Sequence, residues 1–296
     1  MKQTIKLSLF TLLFLLGSNL YAQNVADTVS KIEFKTEEIK FKSDTTTLAA
    51  TIFMPKNPLA AVVLVHGSGQ EKRLTRLATH LASNGIAVLT YDKRGVGESG
   101  GVYVGPEVGT NNIDTGNLNL LALDASEASN ALLKHLPVKG IQIGLIGFSQ
   151  AGWVIPLAAS KNPKLNFIIL FSGPVVSTLE QLRFQFYTQG NVAFWETHTE
   201  ADARLHVKTD FDRYQFAPTD PANALAKLNV HGLWFFGGKD IQIPVGLSVE
   251  RLNLLKTAGR TYEYQVFPDL GHNTASIKSP QTMSFAIKWM KELSEK

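Results

Sequence analysis

The amino-acid sequence predicts an α/β protein in which helices cover both faces of a mostly parallel β-sheet. Continuous apolar, β-branched runs such as 60–67 are typical of strands that are buried on both sides. Segments such as 115–136 repeat apolar residues at helical spacing, as helices packed on a sheet do. The two kinds of segment alternate along the chain, and this alternation favours a parallel sheet joined by crossover helices.

Eight strands are expected in order along the chain. Polar residues at 43–45 separate two extended segments, 32–41 and 47–54, and so predict a hairpin. The remaining strands are short apolar runs at 60–67, 86–92, 141–148, 166–173, 230–238 and 261–268. Helices are predicted where apolar residues recur every three or four positions, at 72–85, 115–136, 150–161, 244–258 and 280–294. Gly85 ends the first of these helices, because glycine readily adopts the left-handed conformation of a helix C-terminus.

The composition excludes several classes of protein. Hydrophobic residues make up 44% of the 296 residues and charged residues 18%, which is typical of a packed globular protein. The 29 basic residues barely outnumber the 25 acidic ones, so no nucleic-acid partner is expected. The absence of cysteine excludes disulfides, thiolate zinc sites and a cysteine nucleophile. No HExxH or P-loop motif is present either, and we expect no metal and no cofactor.

The first 22 residues have the pattern of a secretory signal peptide. Lys2 and Lys6 precede an apolar run at 7–17, and the small Ala22 follows at a plausible cleavage position. The apolar run is short for a membrane-spanning helix, although an uncleaved anchor is the alternative. We therefore expect a periplasmic or secreted protein, with a mature domain of residues 23–296 and no stable membrane anchor after cleavage.

Residues 175–228 interrupt the alternation between the sixth and seventh strands. The segment is rich in Phe, Gln, Thr and Asp, and its helical pattern is weak. An insertion at this point is expected over the C-terminal edge of the sheet, where α/β proteins bind ligands. We interpret it as a lid, with peripheral packing as the alternative.

A candidate nucleophile, Ser149, lies between a predicted strand and a predicted helix. Gly147 and Ala151 stand two positions before and after it, and such a tight turn tolerates only small residues there. The turn exposes the serine hydroxyl and leaves the Gln150 N–H free at the helix start, where it can stabilise an oxyanion. A structural serine that caps the helix is the alternative.

A second oxyanion donor is expected in the HGSG sequence, residues 66–69, which ends an earlier strand. The glycines let backbone amides face a pocket, and Ser68 N–H is the preferred donor, with Gly69 as the alternative. His66 is interpreted as a residue that orients this loop rather than as a base.

The base and its acid partner are predicted at the ends of the last two strands. Asp240 and His272 follow these strands, so both should lie at the sheet edge that carries Ser149. A serine hydroxyl needs a base to become nucleophilic, and a carboxylate fixes the tautomer of that base. Asp269 is the alternative acid, but only Asp240 ends a strand.

Five motifs together resemble the α/β-hydrolase superfamily, in particular bacterial serine esterases and the related serine aminopeptidase-like group. They are VLVHGSG (63–69), YDKRGVGES (91–99), GFSQAGW (147–153), FFGGKDIQIP (235–244) and LGHN (270–273). The resemblance runs from about Ala60 to Trp289, interrupted by the lid. It implies an α/β-hydrolase fold and structural roles for four residues, Asp92, Arg94, Gly95 and Gly97. It also implies a Ser149–Asp240–His272 triad and oxyanion amides at Ser68 and Gln150.

Hydrolysis of esters with small to medium acyl groups is the leading functional expectation. An apolar acyl pocket is predicted from the aromatic residues near the turn at Ser149 and in the lid: Trp153, Phe184, Phe186 and Trp195. Burial of the lid aromatics in a lid core is an equally weighted alternative.

Two other functional classes remain open beside the esterase. An exopeptidase would need carboxylates for a free amine, and the lid offers Glu180, Glu196, Glu200 and Asp202. A non-catalytic binding protein is less favoured, because all three triad residues are present. The expected partner is a small-molecule ester, and the oligomeric state is left undetermined.

Overall fold

The computed structural model describes residues 32–105, 112–275 and 280–295, and the chain from Glu33 onward forms one compact unit. The predicted signal peptide lies outside these residues. Within the described ranges, no helix is both long enough and apolar enough to cross a membrane.

Eight strands form one sheet in the order β1-β2-β4-β3-β5-β6-β7-β8. Their bounds are β1 Phe34–Ser43, β2 Thr46–Pro55, β3 Ala60–Val65, β4 Ile86–Tyr91, β5 Gln142–Phe148, β6 Phe167–Phe171, β7 His231–Gly237 and β8 Tyr262–Phe267. β2 pairs antiparallel with both β1 and β4, and every other pair is parallel. The expected mostly parallel sheet of eight strands is confirmed. Its parallel strands bring their C-terminal ends to one edge.

The helices are α1 Thr75–Ala82, α2 Thr115–His135, α3 Ala151–Lys161, α4 Thr178–Thr188, α5 Phe194–Thr197, α6 Glu200–Thr209, α7 Pro221–Leu225, α8 Val245–Thr257 and α9 Pro280–Ser294. The first helix is shorter at both ends than the predicted 72–85. The other helices predicted outside the lid begin and end within a few residues of their expected positions.

Helices cover the sheet on both faces, as predicted. Leu118 of α2 and Ile155 of α3 belong to one buried apolar cluster, whereas Leu81 of α1 and Met290 of α9 belong to the other. Side chains of the central strands are buried on both faces, which explains why these strands read as continuous apolar runs.

The helices α4 to α7 lie between β6 and β7, within the segment expected to form a lid. Their helical content exceeds what apolar periodicity predicts. Ser177 with Glu180, and Thr199 with Asp202, form capping boxes that begin α4 and α6. These reciprocal hydrogen bonds satisfy amides at each helix start, and the S/T-x-x-E/D spacing is the sequence signal for them.

Candidate active site

Ser149 occupies a strained turn between β5 and α3. Its φ is +51°, a conformation that non-glycine residues rarely adopt, and its N–H donates to the Phe171 carbonyl at 3.0 Å. A Cβ at Gly147 would lie 2.4 Å from Ala151 Cβ and 2.6 Å from Ile155 Cδ1. The small residues on either side of Ser149 therefore have the steric role that the sequence predicts.

The structure brings Ser149, His272 and Asp240 into one hydrogen-bonded chain. His272 Nε2 lies 2.9 Å from Ser149 Oγ, and His272 Nδ1 lies 2.8 Å from Asp240 Oδ2. With Nδ1–H donating to the carboxylate, Nε2 is free to accept the serine proton. This is the geometry required of a base between a nucleophile and an orienting acid.

Asp240 is fully buried, and backbone amides hold its carboxylate in place. Its Oδ1 accepts hydrogen bonds from Gln242 N at 2.7 Å and Ile243 N at 3.1 Å, which leaves Oδ2 for His272. The alternative acid, Asp269, instead lies on the surface with a 91% exposed side chain and pairs with Lys239 at 3.3 Å. The end of β7 thus supplies the carboxylate that reaches His272.

Ser172, which the sequence analysis did not identify, and Trp195, which it assigned to the acyl pocket, support this chain of side chains. Ser172, with φ of +50°, donates its hydroxyl to the His272 carbonyl and lies 2.9 Å from Thr274 Oγ1. Trp195 Nε1 donates to the Asp240 carbonyl at 2.8 Å. Ser172 directly follows β6, so its position at the active edge of the sheet is the one signal that could have indicated it.

Ser68 and Gln150 border the same cavity as Ser149. Among the described residues, neither backbone N–H donates a hydrogen bond within the protein. Both amides are thus available for an oxyanion, and Gly69, the alternative donor, is not part of the cavity lining.

Lys93 joins the two candidate oxyanion elements and was not identified from the sequence. Its buried Nζ donates to the Gly67 carbonyl at 2.6 Å and to Gln150 Oε1 at 3.2 Å. Gln150 Nε2 in turn donates to the Asn112 carbonyl at 2.9 Å. One ammonium therefore holds the HGSG loop against the residue after the nucleophile.

Neighbouring residues have structural roles, as expected. His66 is buried, and its ring packs edge-on against Tyr91 with centroids 4.8 Å apart. Burial, followed by the charge of Lys93, lowers the pKa of His66 to about 3, so this imidazole is neutral at physiological pH. Asp92 accepts from the Arg73 and Glu98 amides, and Arg94 pairs with the buried Asp124.

The cavity above Ser149 has a volume of about 420 Å³. Polar and apolar groups share its lining, and no lining residue that the structure describes carries a charge: Ser68, Asn112, Ile113, Ser149, Gln150, Trp153, Thr178, Gln181, Leu182, Gln185, Phe186, Tyr214 and Gln242. Apolar groups therefore form part of this lining, as the sequence predicts, but carboxamides and hydroxyls share it.

The aromatic assignments require correction. Trp153 and Phe186 line the cavity, but Phe184 and Trp195 do not. Phe184 is fully buried in a small lid core, and the Trp195 ring packs against it with centroids 6.2 Å apart. Because successive helical residues turn by about 100°, Phe184 faces away from the side of α4 that carries Phe186.

The lid carboxylates considered for amine recognition do not line the cavity. Glu180 caps α4 and pairs with Arg251 at 2.7 Å. Glu200 pairs with Arg204 at 3.0 Å, and Asp202 caps α6. In the part of the chain that is described, no group of three or more metal-ligating side chains occurs.

Comparisons with known proteins agree with this architecture. A family model described as serine aminopeptidase, S33, matches residues 56–213. Esterase EstD of Thermotoga maritima is 26% identical over 276 residues, which cover 83% of this chain and 61% of the relative. This chain therefore spans about three-fifths of the length of that curated relative.

Solved structures of low sequence identity share the fold. The Pyrococcus furiosus esterase Pf2001 superposes with a TM-score of 0.63 at 17% identity, over 88% of this chain and 91% of the other. The acylaminoacyl peptidase of Pyrococcus horikoshii gives 0.62 at 16% identity, over 93% of this chain and 43% of the other. Because the family model matches more than half of the sequence, this chain belongs to the serine aminopeptidase S33 family.

Proposed function

We propose that this protein is an exported serine hydrolase that cleaves carboxylic esters through an acyl-enzyme on Ser149. The observation that carries the proposal is the hydrogen-bonded chain from Ser149 through His272 to the buried Asp240, which opens on a cavity. Similarity to esterases supports the same reaction class.

The first half of the reaction forms the acyl-enzyme. Ser149 Oγ attacks the ester carbonyl carbon while its proton passes to His272 Nε2, and Asp240 stabilises the imidazolium. The carbonyl oxygen becomes an oxyanion that accepts from the Ser68 and Gln150 amides. Collapse of this intermediate breaks the ester C–O bond, and the alcohol leaves with the proton from His272.

The second half returns the enzyme to its starting state. A water molecule gives one proton to His272 Nε2 and adds its oxygen to the acyl carbon. The resulting intermediate breaks the bond to Ser149 Oγ, which takes the proton back from His272. The products are one carboxylic acid and one alcohol for each water consumed.

Recognition of a free amine is less well supported than ester cleavage. A substrate ammonium needs an anionic partner when it leaves water. The described cavity lining contains amides, hydroxyls and apolar groups but no carboxylate. The family description and the acylaminoacyl peptidase neighbour nevertheless make a peptidase the second candidate.

Active-site labelling tests the proposal. Intact mass should show one fluorophosphonate adduct on the wild type and none on Ser149→Ala. Ser160→Ala is the matched control, because Ser160 is an exposed serine on α3 outside the cavity and its loss should leave labelling intact. Absence of an adduct on a folded wild type would overturn the mechanism and favour a non-catalytic binding protein.

A substrate panel then separates the two enzyme classes. Acetate and butyrate esters should be hydrolysed, whereas aminoacyl amides with a free amine should not be. Faster turnover of the aminoacyl amides would assign the protein to the peptidases instead.

Export is proposed from residues 1–22 alone, and the mature N-terminus tests it. Sequencing of the protein from a bacterial periplasm should find a start at Gln23. Recovery of the intact N-terminus in the cytoplasmic fraction would contradict export.

A further inference from the structure

Three glutamine side chains border the cavity without a hydrogen-bond partner among the described residues. The side chains of Gln181, Gln185 and Gln242 border the cavity, and none of them makes a hydrogen bond to another described residue. Gln150 differs, because its amide is committed to Lys93 and Asn112. The three uncommitted amides therefore offer donors and acceptors to a ligand.

Gln181 gives the clearest sign of a missing partner. Its Oε1 is buried beside the cavity and has no hydrogen-bond partner. Buried polar atoms in folded proteins are almost always paired, and those that are not usually await a water or a ligand. Because Gln181 also lines the cavity, rotation of its carboxamide would bring this oxygen to a group that donates a hydrogen bond there.

The lid helix α4 presents these amides together with apolar groups. Gln181 and Gln185 are four residues apart and lie on one face of the helix, next to Leu182 and Phe186, which also line the cavity. Tyr214 packs against Phe186 with ring centroids 5.7 Å apart. The cavity thus combines carboxamides with flat aromatic surfaces.

The described lining carries no charge, so the matching ligand is neutral. A carboxamide offers a donor and an acceptor side by side. Neighbouring hydroxyls on a ring offer the same pair, while the ring C–H groups can pack on the aromatic faces. A peptide unit fits less well, because its N–H and C=O point in opposite directions.

From this arrangement we propose that the ester's alcohol part is a neutral, polyhydroxylated ring such as a sugar, and that Gln181 and Gln185 select it. This inference rests on the proposed esterase function. The acyl group is transferred to Ser149, and the sugar oxygen leaves as a hydroxyl by taking the proton from His272. The two glutamines are positioning residues that do not touch the reacting atoms.

A matched pair of acetate esters tests the proposal. Methyl 6-O-acetyl-glucoside and cyclohexylmethyl acetate share the acyl group, a primary alcohol and a six-membered ring, but only the first has ring hydroxyls. Wild-type enzyme should hydrolyse the glucoside ester with at least a tenfold higher kcat/KM. A site built to bind hydroxyls discriminates strongly against an analogue that lacks them. Equal kcat/KM values for the two esters would overturn the inference.

Substitution of the glutamines adds an independent measurement. Gln181→Leu and Gln185→Leu keep side-chain size, so each should lower kcat/KM for the sugar ester by about tenfold and leave cyclohexylmethyl acetate within twofold. Gln281→Leu, on an exposed position of α9, is the control and should change neither value. Equal losses on both esters would mean a merely structural role.

The outcomes also separate this inference from the proposed function. Serine labelling together with cleavage of cyclohexylmethyl acetate would support the proposed esterase function, whatever the rate of hydrolysis of the sugar ester. If the labelled enzyme prefers N-acylated dipeptides to both esters, the sugar assignment is overturned. The glutamine side chains would then bind a peptide backbone instead.

Discussion

Lys93→Met provides a direct test of how the oxyanion elements are held. Methionine has a similar length but no ammonium, so the substitution removes the donor to Gly67 O and Gln150 Oε1. The Gly67 carbonyl and the Gln150 amide would then lose their common partner. We expect the HGSG loop to shift relative to Gln150.

The distances set the size of the expected effect. A hydrogen bond from a charged donor contributes about 1.5–3 kcal/mol, and the contact with Gly67 O is short at 2.6 Å. Part of this lost hydrogen-bond energy is offset, because the variant no longer has to desolvate a buried ammonium. We therefore expect the free energy of unfolding to fall by about 2 kcal/mol.

The effect on catalysis should be larger than the effect on stability. Loss of a whole oxyanion donor costs about 10²–10³ in kcat, and Lys93 acts through the position of the Ser68 amide. A fall of about 10–50-fold in kcat, with KM almost unchanged, is expected because the oxyanion forms only in the reaction. Removal of Lys93 should also raise the pKa of Glu71 further, since burial already raises it and Lys93 opposes that rise.

The assay combines acetate-ester kinetics, the rate of fluorophosphonate labelling and urea unfolding. Lys161→Met is the control, because Lys161 is exposed at the end of α3 and should be replaceable without effect. A folded Lys93→Met protein with kcat within threefold of the wild type would refute the role assigned to Lys93.

Three further predictions concern the same site. Asp240→Asn should lower kcat by about 10³–10⁴-fold, because an amide can donate to Nδ1 and leave Nε2 protonated; steady-state kinetics near neutral pH measure this, and a loss below tenfold would contradict it. Gly147→Val should destabilise the protein by about 1–3 kcal/mol, since even a Cβ there would lie 2.4 Å from Ala151 Cβ; an unchanged Tm would contradict it. Burial lowers the pKa of His66 from 6.5 to about 3, so the unfolded chain binds more protons between these values and stability falls as pH falls through this window. His66→Gln should remove up to about 1.4 kcal/mol per pH unit from this pH dependence of stability. Urea unfolding of both proteins at pH 4–7 measures it, and the same pH dependence in the two proteins would contradict the reasoning.

The proposed esterase mechanism and the proposed sugar selectivity depend on different parts of the molecule. Ser149, His272 and Asp240 follow strands of the central sheet, whereas Gln181 and Gln185 belong to a lid helix. Substitutions in the lid can therefore alter the choice of alcohol without removing the nucleophile. Independent control of chemistry and selectivity follows from this separation.

The sequence could predict the strands, the turn at Ser149 and the order of the triad residues, because the causes of these features are local. Strands buried on both faces must be apolar throughout, and a tight turn after β5 permits only small residues at Gly147 and Ala151. Parallel strands bring their C-terminal ends to one edge, so Asp240 and His272 could be expected near Ser149 from their places in the chain.

The lid shows where local patterns cease to be sufficient. Phe184 and Phe186 are equivalent as aromatic residues, and only the rotation of α4 about its axis sends one into the lid core and the other into the cavity. That rotation is decided by packing against residues distant in sequence, among them Ala203 and Val207.

Lys93 and Gln181 illustrate the same division. Lys93 lies in the YDKRGVGES motif and Gln181 in no motif, but the contacts of each involve atoms that approach only in the folded chain. The sequence by itself determined the fold class and the candidate reacting groups, since steric and hydrophobic rules act over a few residues. Only the tertiary structure decided which polar and apolar side chains share the cavity and how the HGSG loop is held, because both depend on contacts between separate elements.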